Sequence, residues 1–166
     1  MSPRASAFSL AAFVLILDRL TKLLVEAYLA PAETIRVVPG FFNLILTENR
    51  GIAFGVFSEN ESEWRAFFLS GIALLVMALV AVILWQRSPT GMAASRLSRY
   101  GLALVLGGAA GNLYDRLLKG AVTDFLDFHL GPYHWPAFNV ADSAISIGVA
   151  LVLVDAWRSH RRVRLL

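Results

Sequence analysis

The chain has 166 residues, 57% of them hydrophobic and only 16% charged, with a formal net charge of +3. A soluble domain carries about a quarter charged residues and a disordered chain is more polar still, so both classes are excluded. Without cysteine there is no disulfide framework, thiolate metal site or cysteine nucleophile, and the three histidines lack the close spacing of metal ligands.

Four apolar stretches follow one another at about 6–29, 64–85, 100–118 and 137–157. Each approaches or exceeds the roughly 20 residues with which a helix spans a bilayer. Buried core helices are the alternative, but four of them in so short a chain leave too little polar surface to enclose them. Trp64 and Trp85 bracket the second stretch, and Tyr133, Trp135 and Trp157 lie near the ends of the fourth, as interfacial aromatics do. The predicted class is an all-α integral membrane protein with four transmembrane helices in a single domain.

In the first stretch, Arg4 before an apolar run and Ala30-Pro31-Ala32 after it have the look of a cleaved signal peptide. Asp18, Arg19 and Lys22 interrupt that run, so it reads as a retained span. An ionised carboxylate inside a span costs about 2.5 to 3.5 kcal/mol unless it is paired. Lys22 lies at i+4 from Asp18, which favours a self-neutralising structural pair over a direct chemical role. Arg19 points elsewhere and snorkels.

The loop at about 30–63 is too long for a simple connection. Thr34–Val38 and Phe41–Thr47 are rich in β-branched and aromatic residues around Pro39-Gly40, which reads as two strands and a turn on the outer membrane surface.

In the third stretch, Gly107 and Gly111 form a small-xxx-small pair that lets another helix approach. Asn112, Asp115 and Arg116 at i, i+3 and i+4 give one face an amide, a carboxylate and a guanidinium, suited equally to a site and to an interhelical clamp.

Asp124 follows this stretch in the loop at about 119–136, and Asp142 lies about one turn into the fourth. Antiparallel neighbours bring such positions together. Two close carboxylates share a proton, so one accepts a proton from water while the other donates to a carbonyl. The structural alternative is a cap: Asn139 as N-cap with Asp142 at N3, and Asp124 or Asp127 as solvated loop acids.

Basic residues give orientation. Arg4, Arg87, Arg96, Arg99, Arg158, Arg161, Arg162 and Arg164 fall at the termini and second loop, against Arg36, Arg50 and Lys119 in the other loops, which puts both termini in the cytoplasm. The positive charge is therefore topological and gives no support to nucleic-acid binding. Glu33, Glu48, Glu59, Glu61 and Glu63 make the first outer loop acidic.

Asp18-x-x-Thr21-Lys22, Asn49-x-Gly51-x-Ala53-Phe54, the block from Gly107-Gly108 through Gly111-Asn112, Asp115-Arg116, Gly120, Val122 and Asp124-Phe125, and Phe138-Asn139-x-Ala141-Asp142 resemble, in order and over nearly the whole chain, the blocks of the bacterial lipoprotein signal peptidases (signal peptidase II). The resemblance implies a four-helix core with a small β-rich periplasmic platform in the first outer loop. It also implies an aspartic endopeptidase of the inner membrane that cuts prolipoproteins before a diacylglyceryl-modified cysteine. On this chain it implies Asp124 and Asp142 as the catalytic pair near the periplasmic face, with Asn49, Gly51, Asn112, Arg116 and Asn139 near bound substrate. Asn112 and Asn139 would orient the carboxylates, Arg116 would pair with Asp115, and Asp18, Lys22 and Asp115 would be structural. Arg50 and Ile52 stand where the family commonly has Thr and Ala. The expected partners are lipid-modified precursors and membrane lipids, with no nucleic acid, metal or cofactor, and the expected state is a monomer. A small transporter or proton pathway is the rival class, and a membrane assembly factor is another.

Overall fold

The computed structural model describes residues 1–31, 33–51, 64–86 and 95–163. Its elements are α1 (Pro3–Tyr28), β1 (Thr34–Val38), β2 (Phe42–Asn49), α2 (Trp64–Trp85), α3 (Arg96–Lys119), β3 (Val122–Leu130), β4 (Tyr133–His134) and α4 (Val140–Val163). Ile52, Ala53, Phe54, Glu59, Glu61, Glu63, Arg87 and Arg164 lie outside the described residues.

The helix boundaries have local causes. Ser2 caps α1 by accepting from the N–H of Ala5, with Pro3 at the first helical position. Ser95 caps α3 in the same way through the N–H of Ser98. At its other end α3 stops at Gly120, whose φ of 72° is the left-handed conformation that glycine adopts without strain.

α3 is the central helix and packs against α1, α2 and α4. Small residues make this possible. A Cβ on Gly107 would lie 2.5 Å from the carbonyl oxygen of Ala11 in α1, and one on Gly111 would lie 2.4 Å from Asp18 Oδ2. Toward α4, Gly101 and Gly148 face each other's carbonyl oxygens at 2.6 and 2.5 Å from their would-be Cβ atoms. Ala7, Val80, Leu84, Leu102, Ala103 and Val105 form an apolar cluster at one end of the bundle. Val25, Leu29 and Phe125 form another beneath the sheet, flanked by Leu44, Leu46, Leu126 and Val140.

The sheet is antiparallel in the order β1-β2-β3-β4. The hairpin around Pro39-Gly40 lies where the sequence puts it, but β3 and β4 come from the loop at about 119–136. The platform expected from the first outer loop alone is built from both. β3 escapes detection because Val122, Thr123, Asp124 and Phe125 are all buried, which erases the alternation of a half-exposed strand.

The molecule is apolar outside and polar within. Phe13, Leu20, Leu23 and Leu24 of α1, Phe67, Leu75 and Leu79 of α2, and Leu153 of α4 are exposed, whereas Asp18, Lys22, Asp115 and Asn139 are completely buried. α2 (over Phe67–Trp85) and α4 (over Val140–Arg161) are long and apolar enough to cross a membrane. Asp18, Arg19 and Lys22 interrupt α1, and Asn112 and four glycines dilute α3.

Candidate active site

The segment before α4 is laid along β3. Phe125 and Leu126 donate their backbone N–H groups to the carbonyl of Phe138 at 3.0 and 2.8 Å, and the N–H of Phe138 returns a bond to Leu126 at 3.2 Å. This seam delivers Asn139 and the first turn of α4 to the strand that carries Asp124.

Asn139 then binds both carboxyl groups. Its Nδ2 donates to Asp124 Oδ1 at 2.7 Å. Its Oδ1 accepts the N–H of Asp142 at 2.9 Å, while its own N–H donates to Asp142 Oδ2 at 3.3 Å. The last two bonds are a capping box at the start of α4. The cap and the converging acids are therefore one arrangement and not two competing ones.

Two further amides complete the shell. Asn49, at the end of β2, donates to Asp124 Oδ2 at 3.0 Å and accepts the N–H of Gly51 at 2.9 Å. Asn112 of α3 donates to Asp142 Oδ1 at 2.7 Å. Each of the four carboxyl oxygens thus receives one N–H, leaving lone pairs for a shared proton or a water. Burial, and then the charge of Asp142 beside it, raises the Asp124 carboxyl to about 6, against the amides of Asn49 and Asn139, which favour its ionised form.

A cavity of about 540 Å³ opens beside Asp142, and Asp124 does not line it. Asn49, Asn112, Arg116 and Asp142 line it together with Ala73 of α2, Ala109 of α3, and Phe138, Ile145 and Ile147. A larger one, about 830 Å³, opens on the sheet among Arg36, Asn43, Asp127, His129 and His134 and is lined by neither Asp124 nor Asp142. Asp127 there is not a solvated loop acid. It is buried, and bonds from His134 at 2.7 Å and Asn43 at 2.8 Å outweigh its desolvation and hold its carboxyl below the ordinary range.

Behind the pair lies an ionic cluster. Lys22 Nζ lies 2.9 Å from Asp18 Oδ2 and 2.9 Å from Asp115 Oδ2, and it donates to Asn112 Oδ1 at 3.0 Å. Arg19 does not snorkel. It pairs with Asp115 and lies 4.4 Å over the Tyr114 ring. Arg116 does not pair with Asp115 either, and donates instead to the carbonyl of Gly51 at 3.3 Å. Asn112 and Asp115 consequently share Lys22, while Arg116 turns to the carbonyl of Gly51, although their spacing suggests one face. Asp18 Oδ1 accepts the N–H of Ala141 at 3.0 Å, which ties α1 to the first turn of α4.

Sequence reasoning missed Glu26, Lys119 and Thr123. Thr123 precedes Asp124 and donates its hydroxyl to Glu26 at 2.6 Å and its N–H to Asp115 at 3.3 Å, while Glu26 pairs with Lys119. Glu26 at i+4 from Lys22 on an otherwise apolar helix is the signal that could have found it.

The chain matches the family model described as signal peptidase (SPase) II over residues 10–158. It is 45% identical over 159 residues to a lipoprotein signal peptidase of Solibacter usitatus (strain Ellin6076), covering 96% of this chain and 94% of that one. It is 40% identical over 162 residues to one of Francisella tularensis subsp. novicida (strain U112), covering 98% of each. A solved bacterial membrane enzyme superposes with a TM-score of 0.79 at 27% identity, covering 94% of this chain and 90% of that one. With one family model spanning most of the chain and relatives matched nearly end to end, the chain belongs to the signal peptidase II family.

Proposed function

We propose that this chain cleaves the signal peptides of diacylglyceryl-modified bacterial prolipoproteins, just before the lipidated cysteine, with Asp124 and Asp142 as the acid–base pair. The observation that carries the reading is Asn139, whose side-chain amide donates to the Asp124 carboxyl while its backbone N–H donates to that of Asp142, within a shell of neutral donors. The like charges and the burial that raise Asp124 to about 6 leave the pair with one proton in a fraction of molecules near neutrality.

The ionised aspartate takes a proton from water as its oxygen attacks the scissile carbonyl carbon. The protonated partner gives its proton to the carbonyl oxygen. As the tetrahedral diol collapses, the C–N bond breaks, the proton taken from water passes to the leaving amine, and one diol hydroxyl returns its proton to the other aspartate as the new carbonyl forms, which restores the pair with one proton. Asn112 and Asn139 hold the carboxylates in place. Arg116, bonded to the carbonyl of Gly51, and Asn49, bonded to its N–H, hold that edge of the cavity against substrate.

All four helices cross the bacterial inner membrane in this reading. The charges of α1 and α3 do not oppose crossing, because Asp18, Lys22 and Asp115 are buried against one another and the outward residues of α1 are apolar. The distribution of arginines keeps both termini in the cytoplasm and the pair near the periplasmic face. α2 and α4 both pack on α3, so a signal helix reaches the cavity sideways between them while its lipid chains stay in the bilayer. A monomer suffices, since every named partner of the pair comes from this one chain.

Purified enzyme in detergent, given a lipidated and a non-lipidated precursor and followed by gel shift, tests this. Asp124→Asn or Asp142→Asn should lower cleavage of the lipidated precursor by about 10²- to 10⁴-fold. Parent-rate cleavage by either folded variant would remove the aspartic mechanism.

A further inference from the structure

Three asparagines surround the pair, and each works only with its amide turned one way. Nδ2 must face the carboxylate, because a carbonyl oxygen there would repel it. What fixes the turn is whatever donor meets the oxygen at the other end. For Asn49 it is the N–H of Gly51, two residues on, and for Asn139 the N–H of Asp142, three residues on. Both donors are local backbone groups at the end of a strand or the start of a helix, where N–H groups are free.

Asn112 has no such donor nearby, since it sits deep inside α3, where backbone N–H groups are engaged in the helix. Its Oδ1 instead accepts from Lys22 Nζ at 3.0 Å and, at 3.2 Å, from an Asn139 Nδ2 that lies closer to Asp124. Lysine can only donate. A flipped Asn112 would turn its own N–H groups toward the ammonium and its oxygen toward Asp142.

We infer that Lys22 is a positioning residue of the peptidase, which locks the Asn112 amide so that its N–H faces Asp142. This inference rests on the proposed acid pair. It assigns Lys22 a role beyond neutralising Asp18. Asp18 and Asp115 hold the ammonium from the two sides away from Asn112, at 2.9 Å each, and it is fully buried. The order Asp18 and Asp115, Lys22, Asn112, Asp142 thus carries orientation from α1 through α3 to α4.

The charged groups facing this chain are Asp18 on α1, Asp115 and Arg116 on α3, and Asp124 on β3. None donates a bond to Asn112. With the lock removed, the amide turns its oxygen to the pair, which then keeps its second proton to higher pH. The acid limb of the rate profile moves up.

Lys22→Met alone would strand two buried carboxylates, so it is made in an Asp18→Asn background, where Asn keeps the acceptor for the N–H of Ala141. Relative to Asp18→Asn, the double variant should cleave lipidated precursor with kcat about tenfold lower per folded molecule, an unchanged KM and an acid limb shifted upward. Adding Asn112→Ala to both should reduce that difference to less than about twofold. Asn112→Asp, which retains the Lys22 partner but offers Asp142 an oxygen, should shift the acid limb the same way without touching Lys22.

An unmoved acid limb in either Lys22→Met or Asn112→Asp, or a Lys22 effect that survives Asn112→Ala, overturns the inference. Asp142→Asn separates the two readings. If it still cleaves, the acid pair itself is wrong. If it is inactive while Lys22→Met changes only thermal stability, the pair stands and the positioning role falls.

Discussion

Two pairs of carboxylates, three of the four side chains buried and Asp142 partly so, sit in this molecule under opposite rules. Asp18 and Asp115 are held by cations, with Lys22 between them and Arg19 on Asp115. The carboxyl groups of Asp124 and Asp142 have only neutral amides bonded to them among the described residues. The first set is compensated by charge. The second is left without a cation, and on the proposed reading this leaves it a proton to give where a compensated pair would have none. Neutral donors orient an acid without fixing its protonation state, and cations fix both.

Perturbing each set should have opposite consequences. Asp115→Leu strands Arg19 in the bundle and leaves Lys22 with Asp18 alone, and should cost about 3 to 5 kcal/mol, read as thermal unfolding in detergent. Asp124→Asn should do the reverse above neutrality. A folded-state pKa raised to about 6 contributes stability that is fully present below 3.8 and is lost as pH rises through about 6. The parent enzyme should therefore lose up to about 3 kcal/mol between pH 4 and 8, a loss that Asp124→Asn escapes. Identical pH–stability curves for the two proteins would break the comparison.

A smaller effect concerns the amides alone. Asn49→Ala removes a donor that favours ionised Asp124, so the basic limb of the pH–rate profile should move upward by about half to one unit, with a rate loss of about tenfold at its optimum. The smallest effect belongs to Glu26→Gln. Its ion pair with Lys119 is partly solvated, and Gln still accepts the Thr123 hydroxyl, so stability should change by less than about 1 kcal/mol.

The helices and the first hairpin were legible because run length and turn chemistry act locally. So was the Asp18–Lys22 pair, which one helical turn brings together. Arg116 was misassigned to Asp115 for a geometric reason: adjacent helical residues project about 100° apart and cannot share a partner face. Arg19 was misread because its partner, Asp115, is 96 residues away. Nor does spacing disclose which end of an asparagine faces an acid, since that depends on donors brought in by other elements. The resemblance to signal peptidase II pointed to Asp124 and Asp142, but the seam that joins them, Phe138 along Phe125 and Leu126, has no mark in either segment alone.

The turn at Gly120 has a consequence for inhibition. Only Gly120 and Ala121 separate α3 from β3, and the N–H of Gly120 closes on the carbonyl of Arg116 at 3.0 Å, so the turn has no slack. Asn112, Asp115 and Asp124 ride on one stiff lever, and Asn139 and Asp142 ride on the other. The glycine contacts between α3 and α4 are the fulcrum. If the proposed acid pair is right, a compound wedged there, thicker by a single methyl than the gap allows, would spread the acids and silence hydrolysis from outside the cavity.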